Sequence, residues 1–123
     1  MNYVNTVTGP VAASELGRTL MHEHFLFGFC GFQGDATLGG FKEEEYTRDC
    51  LKAVEDARAY GSIQLLTQPP NECGRNVRFL KKISDMTGMN IICSTGYYFQ
   101  AESAYAYWNF RRGFANIEEE IYE

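Results

Sequence analysis

Between Lys42 and Thr95 the chain switches between helical and extended patterning in an order that few architectures accommodate. Over Lys42–Tyr60, residues Tyr46, Cys50, Val54 and Ala57 recur at helical steps and share one face, while Lys42, Glu44, Glu45, Asp49, Lys52 and Asp56 occupy much of the rest. Glu43, Glu44 and Glu45 suit the amino end of a helix dipole, and Gly61 supplies the stop. Ser62–Thr67 then reads as a short strand broken by Pro69-Pro70. The unit repeats: Asn76 is a fitting cap for a helix with Val77, Leu80, Ile83 and Met86 or Thr87 on its apolar face, Gly88 ends it, and Asn90–Thr95 is the next strand. Strand, crossover helix, strand implies parallel pairing with a right-handed connection.

The same order reaches back to the amino end. Val4–Gly9 alternates weakly and is stopped by Gly9-Pro10, and Val11-Ala12-Ala13 begins a second short segment, which predicts an antiparallel flap at the base of the sheet. A first parallel strand follows over 18–23, running into His22-Glu23-His24, which holds the only two histidines of the chain. Alternation along a strand turns His22 and His24 to one side and Glu23 to the other, so both imidazoles can reach one ion. Neutral imidazole suits zinc, iron and related metals. The plain alternative is a His-x-His that merely ends a solvent-facing strand. Carboxyl ends of parallel strands, followed by a roomy loop such as the glycine- and aromatic-rich 25–40, are where barrels and doubly wound sheets place their chemistry. Gly28, Gly31 and Gly34 lack the order of a phosphate-binding loop.

Composition narrows the function classes. The 123 residues suffice for one domain, and 45% hydrophobic with 22% charged residues is globular usage. Acids outnumber bases 16 to 11, for a formal charge of -5, which argues against nucleic acid; the doublets Lys81-Lys82 and Arg111-Arg112 read as helix surface. No basic-plus-apolar leader and no apolar run approaching about 18 residues is present, so the expectation is a cytoplasmic chain without a membrane span. Cys30, Cys50, Cys73 and Cys93 form no Cys-x-x-Cys pair and read as reduced core residues.

Thr8-Gly9-Pro10, the run Glu15–His24 (ELGRTLMHEH), Pro70–Asn76 (PNECGRN) and Asn90–Tyr98 (NIICSTGYY) together resemble the amino-terminal part of the phosphotriesterase-related branch of the amidohydrolase superfamily. Gly-x-Thr-Leu-x-His-Glu-His is specific when joined to Gly-Arg-Asn and Thr-Gly-Tyr-Tyr at these separations; His-x-His alone is weak. The resemblance implies a (β/α)8 TIM barrel with two divalent metals, commonly zinc, bridged by a carboxylated lysine and a hydroxide that attacks a phosphoester, lactone or related ester. By position, His22 and His24 correspond to ligands of the more buried metal. The family's remaining ligands arrive after the fourth, fifth, sixth and eighth strands, whereas this chain reaches only the third. Thr67 and Pro69 stand where relatives usually carry Asp and Thr. Arg75 and Asn76 read as braces for their loop, and Tyr97 and Tyr98 either line the pocket mouth or pack.

The expectation is therefore an α/β fold: the first three βα units of a partial (β/α)8 TIM barrel, preceded by a short β-hairpin, with residues 1–123 forming an amino-terminal portion of a metal-dependent hydrolase barrel domain. Such a portion supplies His22 and His24 as metal ligands and no catalytic residue, and by itself does not turn over the small-molecule ester or lactone. A different class stays open, a small non-enzymatic α/β protein that binds a partner, or itself, through open sheet edges.

Overall fold

The computed structural model describes residues 2–28, 32–37, 39–61, 63–68 and 73–95. Cys30, Pro69, Pro70, Tyr97, Tyr98 and Arg111-Arg112 lie outside them. Within them the elements run β1 (Tyr3–Thr6), β2 (Gly9–Ala12), β3 (Arg18–Leu20), α1 (Glu43–Ala59), β4 (Ile63–Gln68), α2 (Val77–Thr87) and β5 (Asn90–Cys93). β3, β4 and β5 are parallel neighbours in that order, and each step is made through a helix. The result is an α/β fold with an open, TIM-barrel-like sheet, not a closed barrel. No helix among the described residues is long and apolar enough to cross a membrane.

β1 and β2 form the expected antiparallel flap, but its turn is Val7-Thr8, with Thr6 paired to Gly9. Gly9-Pro10 lies inside β2, where Gly9 takes φ 123° and Pro10, lacking an N–H, is opposite Asn5. The Thr6 hydroxyl fixes the turn by donating to the Gly9 carbonyl at 2.7 Å and accepting the Thr8 N–H at 3.3 Å. Val7 N–H donates to the Ile91 carbonyl at 2.9 Å, which fastens the flap to β5.

α1 begins with three glutamates and ends with Arg58 in its last turn, the arrangement that opposes the helix dipole. Arg18 Nη1 donates to the Tyr60 carbonyl at 3.4 Å, so the first barrel-type strand satisfies the helix end that precedes the second. Thr47, Cys50 and Val54 are its buried residues. In α2, Asn76 Oδ1 accepts the Phe79 N–H at 3.0 Å and Gly88 ends the helix in the left-handed region, donating to the Ser84 carbonyl. The buried stripe is Phe79, Leu80, Ile83 and Ser84, whereas Val77 and Met86 are about half exposed. Steps of three drift by about 60° each around a helix, which carries the two ends of the expected run off the core-facing side.

Leu80, Ile83, Met89 and Ile91 are fully buried between α2 and the sheet; Phe79 of α2, Cys50 and Val54 of α1 and Leu26 of the first loop complete the cluster. Phe79 meets Phe41 edge-on at 5.4 Å, which ties the run into α1 to the second helix. Lys82 and Glu43 pair across the two helices at 2.7 Å on the exposed side. Cys50 and Cys93 are free; burial pushes the pKa of the Cys50 thiol up to about 11, and burial also raises that of Cys93, where the nearby Arg75 opposes the shift. Neutral thiols of this kind are packing residues, not nucleophiles.

Candidate metal centre

β3 ends at Leu20, three residues short of the expected 18–23. A register shift between Arg18 and Thr19 spends an extra β4 residue, and beyond Leu20, paired with Leu66, the chain bends at Met21-His22. His22 therefore sits in the bend that leaves the strand and His24 just beyond it, not on the strand itself. They nevertheless converge: the two Nε2 atoms are 3.0 Å apart and the ring centroids 5.1 Å.

That separation has two chemical meanings. Between neutral rings it is one N–H···N hydrogen bond, donor and acceptor set by the tautomers. With zinc–nitrogen bonds of about 2.0–2.1 Å, it would also leave both nitrogens within reach of one ion. His24 adds a second feature, since its Nδ1 is buried without a hydrogen-bond partner among the described residues. A ligating histidine ordinarily gives that N–H to an acceptor, so the donor set fits a metal while the outer support of His24 is incomplete in these residues. No group of three or more His, Cys, Asp or Glu that could hold an ion occurs among the described residues. Asp35 is engaged elsewhere: its carboxylate accepts both the N–H, at 2.9 Å, and the hydroxyl of Thr37. Glu23 is exposed beside the pair.

His24 packs edge-on against Phe27 at 5.1 Å and lines an open cleft of about 470 Å³ with Phe25, Phe32, Tyr46 and Asp49. Burial lowers the His24 pKa below its ordinary 6.5, the neighbouring His22 lowers it further, and Glu23 acts in the opposite sense. The folded chain thus holds His24 neutral where the unfolded chain begins to protonate it. Its contribution to stability is present above pH 6.5 and is lost as the pH falls through the lowered value. With only two histidines in the chain, an NMR titration of the imidazole signals is expected to show His24 titrating below 6.5 in the metal-free protein; a midpoint above 6.5 would contradict the burial.

The loop leaving His24 is clasped to the turn before α2. Gly28 N–H donates to the Cys73 carbonyl at 3.4 Å, Gln33 Nε2 to the Gly74 carbonyl at 3.3 Å, and Asn76 Nδ2 to Gln33 Oε1 at 2.7 Å. The Phe32 ring lies against both glycines: a Cβ on Gly28 would come within 2.6 Å of it and one on Gly74 within 3.0 Å. Arg75 reaches across to the Ser94 carbonyl at the end of β5. Arg75 and Asn76 are therefore braces, as their motif suggests, and the partner missed in the sequence is Gln33.

The fold defines a partial, TIM-barrel-like α/β scaffold with paired imidazoles just beyond the end of its first parallel strand. The chain belongs to the phosphotriesterase family, whose sequence profile matches residues 2–116. It is similar to the organophosphorus hydrolase of Deinococcus radiodurans, at 44% identity and a TM-score of 0.80 over 98% of this chain and 36% of that one. It is also 27% identical over 100 residues to the aryldialkylphosphatase of Saccharolobus solfataricus, covering 80% of this chain and 31% of the relative. The N-acetyltaurine hydrolase of Rattus norvegicus is 30% identical over 124 residues, covering 80% and 36%. The chain thus spans about a third of the length of these relatives.

Proposed function

We propose that residues 1–123 are the amino-terminal portion of a zinc-dependent, phosphotriesterase- or lactonase-like hydrolase, the opening βα units of a (β/α)8 barrel. The observation that carries this reading is the 3.0 Å approach of the His22 and His24 Nε2 atoms at the carboxyl end of β3, in a chain of this family. His22 and His24 would hold a divalent ion, zinc being the family's common choice. A bound ion would polarise the ester and acidify water at the site. This chain's own part is to aim two neutral imidazoles at one point, to keep His24 unprotonated by burial, and to place Phe25, Phe27 and Phe32 beside it as apolar wall for a small ester or lactone. Free thiols at Cys50 and Cys93 support a reducing, cytoplasmic setting.

Catalytic zinc ordinarily takes three protein ligands, so two imidazoles alone leave the ion mostly hydrated and unaimed. The 123-residue chain is expected to bind zinc or cobalt weakly, through both histidines, and to hydrolyse neither an aryl phosphotriester nor a lactone above background. Equilibrium dialysis should show His22→Ala or His24→Ala lowering that weak affinity at least about tenfold. Tight binding of two ions with turnover abolished by either substitution would instead mean that copies of the chain complete each other's site.

A second reading draws on the sheet itself. Among the described residues β3 and β5 each have one strand neighbour, and such edges can recruit another chain or a second copy. A monomer that unfolds cooperatively, binds no metal and captures a partner would favour that non-enzymatic role.

A further inference from the structure

Asn76 can be oriented in only one way. Its Oδ1 accepts the Phe79 N–H at 3.0 Å, so Nδ2 must face Gln33 Oε1 at 2.7 Å, and this leaves Gln33 Nε2 for the Gly74 carbonyl at 3.3 Å. Turning the Gln33 amide over would set nitrogen against nitrogen on one side and oxygen against oxygen on the other. One side chain thus starts α2 and holds the Phe32–Gly34 turn of the first loop. That turn presses the Phe32 ring onto Gly28, which is itself held to Cys73 and lies four residues after His24.

We propose that Asn76 and Gln33 are positioning residues for the imidazole pair: through Phe32 and Gly28 they fix the loop whose first turn carries His24 against His22 and Phe27. The inference rests on the reading of His22 and His24 as metal ligands for its purpose, though not for its geometry. Metal ligation tolerates displacements of only about 0.5 Å, and a bend followed by a glycine-rich loop does not supply that by itself. A brace from the next βα unit does.

Two substitutions separate the clasp from the helix cap. Asn76→Asp keeps an oxygen for the Phe79 N–H but replaces the donor to Gln33, so either Gln33 stays and two oxygens meet, or it turns over and meets the Gly74 carbonyl oxygen-first. Gln33→Glu keeps the acceptor for Asn76 and cannot donate to Gly74, and it lies outside both helices. The metal-free 123-residue chain, labelled at histidine, is compared by NMR: the wild type is expected to show cross-peaks between the His22 and His24 rings and between His24 and Phe27. In both variants, with helical circular dichroism retained, these cross-peaks are expected to weaken or vanish and cobalt to bind about 10–100-fold more weakly. Unchanged cross-peaks and unchanged cobalt affinity in Gln33→Glu overturn the proposal, and they do so even where His24→Ala abolishes cobalt binding and so upholds the metal reading. A wild type that binds no cobalt, together with variants in which the ring cross-peaks vanish, overturns the metal reading alone. If Asn76→Asp fails to fold, Gln33→Glu decides.

Discussion

Replacing Ile83 with alanine is expected to cost roughly 2–5 kcal/mol of folding stability, whereas Met86→Ala, one turn further along the same helix, is expected to change it by no more than about 0.5 kcal/mol. Ile83 has no exposed surface and sits with Leu80, Met89 and Ile91 between α2 and the sheet; Met86 is 54% exposed on the outer side. Removing three carbons from the first site loses their transfer free energy and leaves a cavity that α2 cannot collapse into. The helix is pinned at Asn76 by its cap and at Gly88 by its left-handed end. A domain of this size is stable by only about 5–15 kcal/mol, so the loss is a large part of the whole. Urea unfolding of the two variants checks this. Equal midpoint shifts would mean that the buried stripe of α2 is misassigned.

What can be read from the sequence follows from local rules. The α2 cap and both glycine stops depend on residues within a few positions of one another, and the parallel order of the three strands follows from the strand-helix-strand succession; Asn76, Gly61, Gly88 and the apolar steps declare them. The convergence of His22 and His24 is also legible, but for a partly wrong reason. Strand alternation predicts that they point together, whereas the strand stops at Leu20 and a bend brings them together. Where pairing stops depends on register with β4, which local sequence does not encode. Gly9-Pro10 misleads in the same way: both residues favour turns, yet the two-residue turn falls just before them because Thr6 closes it. The clasp is least accessible. Gln33 and Asn76 are 43 residues apart, and nothing at Gln33 distinguishes it from any exposed amide. The one signal is a pair of glycines, Gly28 and Gly74, in loops at the same end of neighbouring strands, the kind of position where two backbones come close.

That closeness makes Gly74→Ala a damaging small substitution. Gly74 has φ +90°, a region an alanine enters only at a cost of about 1–3 kcal/mol, and its new Cβ would lie 3.1 Å from the Gly28 backbone nitrogen and 3.0 Å from Phe32 Cε1. Neither neighbour can yield. Gly28 is tied to the Cys73 carbonyl, and the Phe32 ring already lies so near Gly28 that a Cβ there would be 2.6 Å away. Relief requires the two loops to separate, which gives up the Gly28–Cys73 and Gln33–Gly74 hydrogen bonds at about 1 kcal/mol each. The sum is on the order of 3–5 kcal/mol. Gly88→Ala is the matched control, since Gly88 has φ 67° and open space around its Cβ position, and only the left-handed backbone cost of about 1 kcal/mol applies. Gly74→Ala should therefore destabilise by at least about 2 kcal/mol more than Gly88→Ala and, unlike it, should abolish the packing of the His24 ring on Phe27. Equal destabilisation in the two variants, with that packing intact in both, would show that the loops are not held together at this point and that the bend after β3 aims His24 without help from the neighbouring unit.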